Sequence, residues 1–203
     1  MDVWEAIMKR RTVRRFKQEP IPQSILINLV NAARMAPSGA NIQPLKYMIV
    51  DDPAKVIRVF EQVRWAAYLA PNGAPGENER PSAFLLILLD NTIKAATPEL
   101  DAGAACQNIM LAAAAEGIGT CWMGAIKRER IREILDLPER YTLHTVIALG
   151  YAGEEPVAED ASDSIRYYKD PAGVLHVPKR TLKDILLPAN GMQSAKSQPA
   201  KDE

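Results

Sequence analysis

What this sequence lacks narrows it before what it contains does. Its 203 residues carry 25 Lys and Arg against 25 Asp and Glu. With no excess of either sign, the chain lacks the basic balance of a general nucleic-acid binder. Aromatic residues make up only 6%, and none interleaves with the basic residues as a base-stacking surface requires. The two cysteines, Cys106 and Cys121, lie in apolar surroundings without CxxC spacing, and the two histidines, His144 and His176, have no cysteine companions. Those spacings argue against structural zinc, and no metal is expected. No apolar run reaches the roughly 18 residues that cross a bilayer. Charged residues break up the first positions, so neither a signal peptide nor a membrane span is expected. The chain reads as cytoplasmic, with reduced thiols.

What is present is an ordinary globular balance, 47% hydrophobic and 25% charged, at a length that suits one domain. We expect that domain over residues 1–188, followed by a disordered tail at 189–203 that holds few apolar side chains. Against the neutral background one stretch stands out. Lys9-Arg10-Arg11-Thr12-Val13-Arg14-Arg15-Phe16 packs five cations and a hydroxyl into eight residues. Val3, Trp4, Ile7 and Met8 fall on one face of a helix that must end there. Guanidiniums at a helix end beside a Thr hydroxyl suit a phosphate, which accepts planar, bidentate hydrogen bonds. The bland alternative is a solvated basic turn.

Periodicity then gives the order helix, helix, strand, helix, strand, helix, strand, helix, strand. A second helix opens at Ile21-Pro22, with Ile25, Leu29, Ala33 and Ala36 inward, and stops at Ala36-Pro37-Ser38-Gly39-Ala40-Asn41. Lys46–Val50 reads as a strand, and a third helix starts at Asp51-Asp52-Pro53 with Val56, Val59, Phe60 and Val63 inward. Arg64 to Ser82 is irregular, long enough for a lid or binding loop, with a solvated insertion as the alternative. Ala83–Leu89 is a continuous apolar run expected at the centre of a sheet. Asp101–Glu116 is alanine-rich and apolar almost all round, as a helix buried in a core or a subunit interface would be. Thr120–Gly124 is a short extended piece, Lys127–Leu135 a small helix, Tyr141–Tyr151 a strand and Thr181–Ile185 a closing helical turn. Gly117-Ile-Gly119 ends a helix rather than opening one, so it is no dinucleotide fingerprint. The class is α+β.

Three segments in order, Arg10–Phe16, Ala36–Pro44 and Gly117–Gly124, resemble the nitroreductase family of flavoproteins, and the likeness runs from Met1 to about Ile185. It implies a three-layer α+β fold, a central mostly antiparallel sheet flanked by helices, in an intertwined homodimer with FMN at the interface. NADH or NADPH would reduce that flavin, docking without a Rossmann domain of its own. Carried over by position, Arg10, Arg11 and Thr12 would hold the FMN phosphate and ribityl end. Arg14 would stand beside the flavin N1 and O2 edge, where a cation stabilises the negative charge of the reduced ring. Pro37, Ser38, Gly39 and Asn41 would reach the flavin from the partner subunit. Met123 and Gly124 would offer backbone N–H groups to N5 and O4, and Lys179 with Arg180 would complete the phosphate site. That pair is adjacent here, whereas family members often space the two cations by one residue. The amide that many members use on the pyrimidine edge would be Gln43 or a residue at 64–68.

The activity implied is ping-pong reduction of nitroaromatic, quinone or related acceptors, with the flavin carrying the hydride, Arg14 and Gly124 supporting it and no protein nucleophile needed. Trp65 and Tyr68 are candidate stacking partners for a planar acceptor. Arg15 is expected to point away as a surface charge, Phe16 to be core, and Cys121 and Trp122 to be packing. Reductive dehalogenation or flavin destruction on the same scaffold, and a non-catalytic flavin-binding protein, are the alternatives.

Overall fold

The computed structural model describes residues 1–187; the expected tail at 189–203 lies outside the described residues. Helix α1 spans Val3–Lys9 and is capped by Asp2, whose carboxylate accepts the Glu5 N–H at 2.7 Å. Its expected apolar face does not turn inward. Ala6 is its buried residue, while Val3 and Trp4 are 73% and 72% exposed. Helix α2, Gln23–Arg34, follows Pro22 at the cap and buries Leu26, Leu29 and Ala33. Strand β1 is Leu45–Val50, and α3, Pro53–Phe60, starts from Asp52, which caps the Lys55 N–H at 3.0 Å. Then come β2 (Ala83–Asp90), α4 (Pro98–Ala115), β3 (Ile118–Met123), α5 (Arg128–Ile134) and β4 (Tyr141–Tyr151).

The four strands form one antiparallel sheet in the order β1-β2-β4-β3. The apolar run expected at the centre is there, because β2 is covered on both faces. Phe84, Leu86 and Leu88 pack with Val56 and Val59 of α3 and Ile131 of α5. Leu85 and Ile87, pointing the other way, pack with Leu26 and Leu29 of α2 and Ile109 of α4. This alternation makes three layers, and each fully buried aliphatic side chain contributes about 1.5–3 kcal/mol. Helix α4 buries one side, including Ala102, Ala105, Cys106 and Ala113, which lets α2 approach closely. Its opposite side is half-buried, and Leu100 is exposed.

Sequence periodicity gives no strand beyond Gly153, yet a second sheet stands there: β5 (Val157–Asp160), β6 (Tyr168–Lys169) and β7 (Leu175–Lys179), in the order β5-β7-β6. Its strands are short, and Pro178 lies within β7, so no periodic signal marks them. His176 of β7 ties the sheet together, with Nδ1 2.8 Å from Glu159 and Nε2 3.4 Å from Asp170. The chain closes with α6, Leu182–Ile185, capped by Thr181.

Candidate functional site

The basic segment leaves α1 in extended conformation and lies along the sheet. The Val13 N–H donates to the Thr120 carbonyl at 2.9 Å, Thr12 bridges Thr120, and Phe16 bridges Ala152. Val13 and Phe16 turn inward and are 6% and 2% exposed. They fit because Gly119 and Gly150 lie beneath them: a Cβ at either glycine would stand 2.8 Å from the side chain above. Those two inward anchors leave the arginines between them on the other side. Phe16 is core, as expected. Arg15, expected as a surface charge, is no free one. Its Nε is 2.8 Å from Glu79, its Nη2 donates to the Asn72 carbonyl at 3.1 Å, and its side chain is only 16% exposed.

Arg10, Arg11 and Arg14 are different. None of them makes an ion pair among the described residues, and the Nε of each is buried without a partner. Burial, followed by the charge of Arg11, pulls the Arg10 guanidinium below its ordinary range, and burial does the same to Arg11. Arg11 is partly committed, since its guanidinium donates to the Met8 carbonyl at 2.6 Å and to that of Arg10, which closes the end of α1. Arg10 and Arg11 line a cavity of about 520 Å³ with Gly119 and Thr120, whose far wall includes Glu154 and Glu155. Two partly desolvated cations thus face a cavity that two carboxylates, Glu154 and Glu155, also line.

The loop after α2 is held from α4. The Ser38 hydroxyl donates to Asp101 at 2.6 Å, the Gly39 N–H donates to the same carboxylate at 3.0 Å, and Ser38 Oγ accepts the Gln43 N–H at 2.9 Å. Asp101 is 7% exposed. Ala40, Asn41 and Gln43 all adopt left-handed conformations, with φ of 49°, 55° and 55°. Such strain persists only where the surroundings impose it. Pro37, Ser38 and Gln43 line a separate recess of about 170 Å³ together with Tyr47 and Asp101. Sequence reasoning does not single out Asp101, because an acidic residue in the first turn of a helix is ordinary dipole chemistry.

Met123 ends β3, and its carbonyl accepts the Thr145 hydroxyl at 2.6 Å. Trp122, expected as packing, is instead 44% exposed, with its indole N–H donating to Thr145 at 2.8 Å. The reason is strand alternation: Cys121 and Met123 take the core face and Trp122 the other. Cys121 does pack, and burial pushes its thiol up to about 11 despite the nearby Arg14. Gly124 lines a third recess of about 250 Å³ with Trp122, Arg128, His144 and Thr145. There Arg128 donates to the carbonyls of Leu143 and His144, and burial lowers the His144 imidazole.

Lys179 and Arg180 are exposed at the end of β7, and Arg180 lines yet another recess, beside Asp184. In the irregular segment, Trp65 packs against Phe60 with ring centroids 5.4 Å apart, whereas Tyr68 is 56% exposed. Within one chain, then, Arg10, Arg11 and Thr12 gather along β3, while the 37–43 loop, Gly124 and the Lys179–Arg180 pair open onto other recesses. Two residues not singled out in the sequence act on Arg14: Glu154 accepts its backbone N–H at 2.6 Å, and the Tyr167 ring lies 4.8 Å from its guanidinium carbon. Neither has a sequence signal, since both come from beyond Gly153, where periodicity is weak.

Comparisons with known proteins show the family and the fold. A family model described as the nitroreductase family matches residues 7–151. A protein of Archaeoglobus fulgidus with the provisional name NADH dehydrogenase/NAD(P)H nitroreductase is 30% identical over 164 residues, which cover 77% of this chain and 89% of that protein. An FMN-dependent nitroreductase from Clostridium difficile R20291 is 26% identical, with a TM-score of 0.64 over 79% of this chain and 94% of that one. A provisionally named nitroreductase from Desulfovibrio desulfuricans, solved in complex with FMN, is 26% identical, with a TM-score of 0.66 over 93% of this chain and 96% of its own.

Proposed function

The chain belongs to the nitroreductase family, and from that premise we propose that it is an NAD(P)H-dependent flavin oxidoreductase that holds FMN and works by a ping-pong mechanism. The acceptors are nitroaromatics, quinones or related planar compounds. One observation carries the reading: Arg10, Arg11 and Arg14 keep buried, unpartnered Nε atoms and make no ion pair among the described residues, and burial lowers the Arg10 and Arg11 guanidiniums. A phosphate and the electron-rich edge of a flavin are ligands of the matching sign and shape.

When bound, FMN supplies hydride transfer at N5, between the nicotinamide donor and the acceptor. The chain's own residues bind and orient. Arg10, Arg11 and Thr12 would hold the phosphate end, while of Lys179 and Arg180, the other candidates for it, Arg180 lines a separate recess within this chain. Arg14 would place a cation at the N1 and O2 edge, where negative charge develops on reduction. Met123 and Gly124 would offer backbone N–H groups to N5 and O4. Neither candidate stacking residue offers a free ring: Trp65 is packed on Phe60, and Tyr68, though 56% exposed, meets Tyr167 and Arg166, so either must give up a neighbour to receive a planar acceptor.

A homodimer with FMN at its interface accounts for two further facts. Pro37, Ser38, Gly39, Asn41 and Gln43 belong to a loop that opens away from the arginine cavity, so in this reading they serve the partner's flavin. The exposed Val3, Trp4, Ile7 and Met8 on α1 are the kind of apolar face that a second copy covers.

The test is a visible absorption spectrum of the purified protein, followed by anaerobic titration with NADH and with NADPH. Flavin bands that bleach on addition are expected. A protein that stays colourless after incubation with FMN would refute the proposal. Light scattering tests the assembly, and a monodisperse monomer would overturn the dimer.

A further inference from the structure

Arg14 is the cation on which the proposed reading leans most, and its side chain is held in an unusual way. Its carboxylate neighbour, Glu154, is engaged elsewhere: it accepts the Arg14 backbone N–H at 2.6 Å and lies 3.6 Å from Lys169. The guanidinium itself lies over the ring of Tyr167, 4.8 Å from its centroid. On the far side, Tyr167 meets Tyr68, with centroids 4.9 Å apart and planes tilted by 44°, and the Tyr68 N–H donates to the Tyr167 hydroxyl at 3.4 Å. Arg166 closes the column over Tyr68 at 5.3 Å. The four side chains alternate cation, ring, ring, cation, and they come from three separate parts of the chain.

We propose that Tyr167 is a positioning residue: its ring clamps the Arg14 guanidinium in the orientation that meets the flavin edge, and through Tyr68 it joins that orientation to the 64–82 segment. A guanidinium with several rotatable bonds and no ion pair needs something to fix it, and a π-face fixes its plane without neutralising its charge. A carboxylate in that place would hold Arg14 as firmly and cancel the charge that the site uses. The ring should matter more than the hydroxyl, whose one hydrogen bond among the described residues is a long one from a backbone N–H.

This inference rests on the proposed flavin site, and two kinds of measurement keep the two separable. The clamp alone is read without flavin, by NMR of the Arg14 Nε–H. A ring-current shift is expected in the wild type and in Tyr167→Phe, and is lost in Tyr167→Leu. A wild-type resonance at the ordinary arginine position would overturn the clamp, whatever the protein binds. Its consequence is read by FMN fluorescence titration and by the midpoint potential of the bound flavin. Tyr167→Leu is expected to weaken FMN binding about threefold to tenfold, the size of a partly desolvated cation–π contact, and to move the potential to a more negative value. Tyr167→Phe restores both. Arg14→Ala combined with Tyr167→Leu should do no more than Arg14→Ala alone, because the tyrosine acts through the arginine. Full additivity of the two, or an unchanged potential in Tyr167→Leu, would overturn the positioning role. A wild type that binds no FMN would instead refute the function, and the NMR result would still decide the clamp.

Discussion

Arg140 and Arg10 carry the same guanidinium in opposite settings. Arg140 donates to both oxygens of Asp90, at 3.0 and 2.7 Å, and the same carboxylate accepts the Thr92 hydroxyl at 2.6 Å and the Thr92 N–H at 3.1 Å. Asp90 is buried at the end of β2, and its bonds to Arg140 and Thr92 hold its carboxyl well below the usual carboxylate range. Both carboxylate oxygens there have partners, and the pair ties β2 to the start of β4. Arg10 has burial without a partner, so its charge costs stability in the free chain. A charge that is satisfied internally is architecture, whereas one left unsatisfied beside a cavity awaits a ligand.

Four substitutions or conditions test that contrast. The largest effect is expected from Arg10→Ala, which should weaken FMN binding about tenfold to a hundredfold, the loss of charge-assisted hydrogen bonds, while raising the flavin-free melting temperature slightly or leaving it in place. If the variant instead melts early and keeps its FMN affinity, the contrast is inverted. Asp90→Asn should do the reverse, lowering Tm by about 5–10 °C with FMN affinity intact. The pH sign follows from the lowered carboxyl: its contribution is present above the unfolded value of about 4 and is lost as pH falls through the folded one. Melting curves of wild type and variant should therefore converge in strong acid and separate above about pH 4.

A smaller effect is expected from Asp101→Asn, which leaves Ser38 and Gly39 poorly matched. Amide exchange should quicken across 38–43, and FMN affinity should fall about threefold to tenfold. Unchanged exchange there would mean that the left-handed run holds itself. The smallest effect concerns His176, raised above its ordinary range chiefly by its hydrogen bond to Glu159, with burial opposing and Asp170 assisting. A raised imidazole stabilises fully below its unfolded value of about 6.5 and loses that contribution as pH climbs through the folded one. Exchange over 157–179, corrected for intrinsic rates, should quicken as pH rises beyond that point, and His176→Gln should remove the dependence.

Much of this was legible in the sequence, and the reasons are local. Val56, Val59 and the run from Ala83 carry periodicities that only one kind of element satisfies, so helices around one sheet could be read from pattern, while the three layers came with the family resemblance. The arginine turn stood out by charge density. What escaped notice depends on distant partners. Nothing near Asp101 announces that it holds a loop more than sixty positions earlier, and nothing near Tyr167 points to Arg14. The small sheet escaped for a related reason, because strands of two to five residues are too short to show a period. Trp122 shows the limit of composition, since a large apolar ring suggested burial and strand alternation put it outside.

The resting place of the basic segment also bears on how the molecule is built. Arg14 is fastened to Glu154, a residue 140 positions further along the chain, and the two glycine beds for Val13 and Phe16 belong to β3 and β4. A ribosome delivers this segment 140 residues before the Glu154 that fastens it. Contacts of such long sequence separation form late and fold slowly. The Arg14 segment therefore cannot dock until β3, β4 and Glu154 exist. Flavin capture by a nascent chain of this protein would thus report completed folding rather than assist its early steps.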